Sequence, residues 1–151
     1  AEISDGVAAD RKVSLIAGAL ANLAAETNPP TISAAEMTNI LDASGAIIVP
    51  YQASLLKMTL SCLKIDATTG VATVQWSETR NGTARAKGSV YSFPGTATAL
   101  AVKGTWLLFA EVSYDYTPAV GYTISGTLTL SDHMYMSPRI TAPTYGVTTC
   151  T

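Results

Sequence analysis

The sequence predicts an α+β domain in which a long N-terminal helix packs on an antiparallel β-sheet, with a short second helix between them. Three observations carry this. Residues 1–26 have helical spacing and many alanines, the chain from Leu55 onward changes to strand periodicity, and turn-forming residues separate the strands at hairpin distances. A length of 151 residues suits one domain with a substantial core, so 1–151 is read as a single unit.

In the first helix, Ile3 and Val7 begin an apolar stripe that resumes at Val13, Ile16, Leu20 and Leu23. Alanines such as Ala8, Ala9, Ala17, Ala19 and Ala21 favour helix, and Asp10, Arg11 and Lys12 form a polar face. Asn28-Pro29-Pro30 ends the element, because proline cannot continue a helix and drives the residue before it out of the α region. Ser33-Ala34-Ala35-Glu36 has the form of a capping box, opening a second helix with Met37, Ile40 and Leu41 on its apolar side. That helix should end near Ala43-Ser44-Gly45, with residues 47–51 as an apolar connector.

Strands follow. Leu56 to Ile65 and residues 71–78 flank a turn-rich link, Asp66 to Gly70, suited to a hairpin. Asn81-Gly82 marks a second turn, with positive φ expected at both residues, and a strand is expected at 89–93. Trp106, Leu108, Ala110, Val112, Tyr114 and Tyr116 alternate with polar or outward-facing residues, which describes a strand with one apolar face. Residues 122–131 repeat the pattern with Ile124, Leu128 and Leu130, and a loose tail runs to Cys150.

Composition excludes several function classes. The chain is 48% hydrophobic and only 13% charged, with a net charge of -2 and no run of more than two adjacent basic residues. It therefore has no electrostatic footprint for nucleic acid. Two cysteines and one histidine cannot form a four-ligand structural zinc site. Cys62 and Cys150 are either unrelated thiols or a disulfide, and the position of Cys150 beside the C-terminus favours the disulfide. Closing a loop of roughly 90 residues contributes about 4 kcal/mol in the chain-entropy model, and such a bond implies an oxidising compartment. No stretch approaches the ~20 apolar residues that span a bilayer. The chain opens at Ala1 within a helical pattern, as either a processed or a trimmed protein would, and a segment upstream is a candidate membrane anchor.

Candidate chemistry is sparse. Asp132-His133 is the one acid–histidine neighbour pair, but adjacent strand residues point to opposite faces, so Asp132 is poorly placed to orient His133. Glu111 and Asp115 share a strand face and could serve as paired carboxylates, although an ordinary polar face or an ion pair explains them better. Asp66 and Gly70 do not complete a calcium loop. Asn81-Gly82-Thr83 matches a glycosylation acceptor, which the hairpin turn already accounts for. Tyr114, Tyr116 and Tyr122 could form an aromatic carbohydrate platform, yet core packing suits Tyr114 and Tyr116 better. Neither an enzyme nor a cofactor is expected.

Several segments together resemble one family. They are Ala110-Glu111-Val112-Ser113-Tyr114-Asp115-Tyr116-Thr117-Pro118, then Leu128-Thr129-Leu130-Ser131-Asp132, then Tyr135-Met136-Ser137-Pro138-Arg139, and finally a cysteine near the terminus. Their order resembles the TadE/TadG-type pilus-assembly proteins of bacterial tight-adherence (type IVc) pili. Asp10-Arg11-Lys12-Val13 and Val74-Gln75-Trp76-Ser77 are similar to the same group. The resemblance implies a pilin-like fold, an inner-membrane anchor and a periplasmic domain that is in some members incorporated into the extracellular pilus. It implies other pilin subunits and the inner-membrane assembly machinery as partners. Ile3, Val7, Ala8, Ala17 and Ala21 are the expected packing positions for neighbouring helices, and Glu111 with Arg139 is a candidate ion pair. A secreted adhesin-like module that binds carbohydrate or surfaces is the alternative.

Overall fold

The structure, a computed structural model, describes residues 2–25, 31–116, 128–137 and 144–145, and the side chains of 8–25, 32–116 and 129–137. The expectations for residues 122–127, Arg139 and Cys150, and for the side chains of Ile3 and Val7, lie outside the described residues.

Helix α1 spans Glu2–Ala25 and α2 spans Ala34–Gly45. Ser33 caps α2, its Oγ accepting the Glu36 N–H at 3.1 Å, which satisfies one of the donors that a helix start leaves unpaired. Five strands form one antiparallel sheet: β2 (Leu56–Ile65), β3 (Ala72–Arg80), β4 (Val90–Tyr91), β5 (Trp106–Tyr116) and β6 (Leu128–Met136). Their order is β4-β3-β2-β5-β6. A separate two-stranded parallel pair joins β1 (Thr31–Ile32) to β7 (Thr144–Tyr145).

The β2–β3 hairpin turns where the sequence placed it. Asp66 Oδ1 accepts the N–H groups of Thr68 and Thr69, each at 2.8 Å, and Gly70 takes φ +76°. Those two donors hold the Asp66 carboxyl below its usual range. The carboxylate thus organises a turn. The second turn differs from expectation. Asn81 alone has positive φ, at 64°, and its side-chain Nδ2 donates to the Leu56 carbonyl at 2.9 Å. Gly82 is needed for room, since a Cβ there would stand 2.9 Å from Thr79 Oγ1. The chain then runs as an irregular strap over the sheet before β4 pairs with the far end of β3.

The inner sheet face receives α1, which lies across β5 and β6. Its buried side includes Ala9, Val13, Ile16 and Leu20, flanked by Ala17, Ala21, Ala24 and Ala25. This arc covers about half the circumference at 100° per residue, wider than the expected stripe. Two expectations need correcting. Ala17 and Ala21 are fully buried against the domain's own core and are not open to a neighbouring helix, because they share the arc of Val13 and Leu20. Leu23 sits at the arc's rim and is 37% exposed. Tyr114 and Tyr116 are buried as expected, and the Tyr51 ring packs edge-on against both.

The outer face departs most from expectation. A bulge at Cys62/Leu63 on the β2–β3 ladder leaves Cys62 and Trp76 in the main core while Leu63 and Val74 face outward. There they join Phe109 under Tyr91 and Phe93. Phe109, expected to face solvent, is 3% exposed. The sheet therefore has cover on both faces, helices on one and the strap on the other.

Candidate functional site

The polar side chains of the outer face meet in one groove of about 430 Å³ between the strap and strands β2, β5 and β6. Its position follows from register. Thr59, Glu111 and His133 form one cross-strand row, and Ser61, Phe109 and Tyr135 form the next. Lys57, Ser113 and Ser131 make up the row on the other side. Residues two apart on a strand share a face, so these rows set polar groups beside an aromatic strip.

Arg85, from the strap, anchors the arrangement. Its Nε donates to Glu111 Oε1 at 2.7 Å and its Nη2 to Oε2 at 2.8 Å, a bidentate fork on a carboxylate. The guanidinium carbon stands 5.0 Å from the Tyr91 ring centroid and 5.4 Å from that of Phe109, within range for cation–π attraction. The Glu111 hydrogen bond raises the Arg85 pKa further, so the guanidinium stays charged. The two side chains are each about one-third exposed, so solvent screening holds the pair's contribution to about 1 kcal/mol even with this bidentate geometry. The Arg85 backbone N–H also donates to Ser77 Oγ at 3.0 Å, and Ser77 in turn is 2.9 Å from buried Ser61 Oγ. Glu111 therefore has Arg85 as its partner, and Arg139 lies outside the described residues. The strap crosses the very row in which Glu111 stands, which brings the two together across 26 positions of sequence.

The aromatic strip beside this pair is continuous. Phe109 and Tyr135 stack at 4.7 Å with 9° between planes, and His133 meets Phe109 and Tyr135 edge-on at 6.0 and 5.4 Å. Tyr91 and Tyr135 hydroxyls share a hydrogen bond. Burial, helped by that bond, raises the Tyr91 pKa above its ordinary value, with Arg85 opposing.

The groove also decides how the candidate catalytic groups relate. Register sets Glu111, not Asp132, opposite His133, with Ser131 and Ser113 nearby. A hydrolase would need a serine bonded to His133 and a carboxylate bonded to its other nitrogen. Among the described residues no serine hydroxyl bonds His133, both Glu111 oxygens are engaged by Arg85, and Asp132 Oδ1 accepts the backbone N–H of His133 at 2.8 Å. Asp115 is turned to Thr129 and Lys57, away from Glu111. No cluster of His, Cys, Asp or Glu among the described residues could hold a metal ion.

Cys62, fully buried in the main core, is disulfide-bonded, and the chain's one other cysteine is Cys150. Tyr122 of the suggested aromatic platform lies outside the described residues, while Tyr114 hydroxyl accepts the Gln52 N–H at 3.1 Å inside the fold. Sequence reasoning missed Arg85. The signal that could have found it is the outward Phe109 two residues from Glu111, an apolar group needing cover beside an anion needing a partner. Compared with family models, with curated proteins and with solved structures, the chain has no match.

Proposed function

We propose that this domain is the extracytoplasmic part of a minor pilin or pilin-like assembly subunit of a bacterial tight-adherence pilus, with a structural rather than catalytic role. The observation that carries the reading is the form of α1. A 24-residue helix gives half its circumference to its own sheet and keeps a second stripe outward, with Leu15 61% exposed and Leu23 37% exposed. Ala8 and Ala19 lie on the same side and are only partly covered. Ala8 and Ala19 beside Leu15 permit close approach by another helix, Lys12 between Ala19 and Leu23 is held back on the Ile47 carbonyl, and this stripe replaces Ala17 and Ala21 as the packing surface.

Two further features support the reading. The sequence segments resembling TadE/TadG-type proteins span most of the chain, and the core disulfide suits the periplasm. Membrane attachment belongs to the proposal through the resemblance; no helix among the described residues is long and apolar enough to cross a membrane. The partners are other pilin subunits and the inner-membrane assembly machinery.

Deleting the coding gene and imaging the cells by electron microscopy tests the role. Loss of pili, restored when the gene is returned, is the expected outcome. Unchanged piliation in the deletion strain contradicts it.

A further inference from the structure

We propose that the outer-face groove binds a neutral saccharide. This goes beyond the subunit role and stands without it. Charge is the first argument. Arg85 is paired with Glu111 and Lys57 with Asp115, so the groove's cations are already balanced by carboxylates and the site has no net field to hold a phosphate or an acidic peptide.

Hydrogen-bonding capacity is the second. The Arg85–Glu111 fork uses Nε and Nη2, while Nη1 makes no bond among the described residues and each carboxylate oxygen keeps a further lone pair. Donors and acceptors are thus displayed side by side in one plane. Adjacent hydroxyls of a sugar, each both donor and acceptor, complement such a plane. The Ser113 and Ser131 hydroxyls, opposite each other in register, add adaptable contacts at the groove's edge.

Shape is the third argument. The exposed His133 ring stands at the groove's side, braced edge-on by the buried Phe109 beneath, and gives a C–H-bearing sugar face an apolar surface. A volume near 430 Å³ lies within the small-ligand range of about 300–1,000 Å³ and has room for a mono- or disaccharide. An extended peptide is the poorer fit, because the groove lies on the face of the sheet and offers no strand edge for main-chain pairing.

The test is a ¹⁵N-resolved NMR titration of the protein with maltose, cellobiose and N,N′-diacetylchitobiose, with inorganic phosphate and glutamate as ionic probes. The groove is open, so binding of order 1 mM is expected. At least one sugar should shift the Ser113, Ser131 and His133 amides saturably, with phosphate and glutamate inert there. Ser131→Trp, at an exposed position, should weaken that binding by about tenfold or more while the rest of the spectrum is kept. If none of the three sugars shifts these amides, or only the ionic probes do, the inference is overturned. Sugar binding that survives Ser131→Trp unchanged also overturns the assignment to this groove.

Discussion

Ser44 is fully buried on α2, and its hydroxyl has no hydrogen-bond partner among the described residues. An unpaired polar group in the core costs desolvation without return. Ser44→Ala should therefore stabilise the domain by about 0.5–1 kcal/mol, read as a higher denaturation midpoint. Tyr91 carries the pH dependence at this scale. Its pKa is raised by burial and by the Tyr135 hydrogen bond, so the fold favours the neutral phenol. Below the ordinary tyrosine pKa of about 10, both folded and unfolded chains keep the proton and the contribution is complete. Above it the unfolded chain ionises first and stability falls as pH rises. Tyr91→Phe should flatten that alkaline decline and cost about 1 kcal/mol at neutral pH through the lost hydrogen bond. An alkaline decline as steep in Tyr91→Phe as in the parent would show that Tyr91 is not its source.

At the scale of elements, α1 owes its seat to alanine. Ala17 and Ala21 are fully buried and bring the helix close to the sheet, so Ala17→Leu or Ala21→Leu overpacks the interface and should destabilise by about 1–3 kcal/mol. Leu15→Ala, on the outward side, should change stability by no more than about 0.5 kcal/mol. Chemical denaturation of the three variants separates the two sides. The same helix shows what could be read from sequence. Its extent was legible because alanine content and Pro29-Pro30 act locally, and β2 and β5 because alternation is local too. Which alanines face inward was not, since a helix rich in small residues carries little contrast between its sides. The outer face was illegible for another reason. The strap has no period, and the Arg85–Glu111 fork joins residues 26 positions apart, so neither spacing nor propensity reports it. Leu107 and Phe109 were the available signal, apolar side chains on the side of β5 assigned to solvent.

Across the whole molecule, a sheet covered on both faces is tied by a disulfide at Cys62 in its core. Reduction should lower stability by about 4 kcal/mol in the chain-entropy model, and so depress Tm by about 10 °C for a domain of this size. A thermal melt with and without reductant measures it, and coincident melts would exclude that contribution. One outward feature of the fold is the stripe of Ala8, Leu15, Ala19 and Leu23 on α1, which is proposed to pack against a neighbouring subunit's helix. Replacing Leu15 and Leu23 together by aspartate tests this most directly, with pili counted by electron microscopy and the purified domain checked by circular dichroism. The account predicts a folded domain and cells stripped of pili. A folded double variant on normally piliated cells would contradict it.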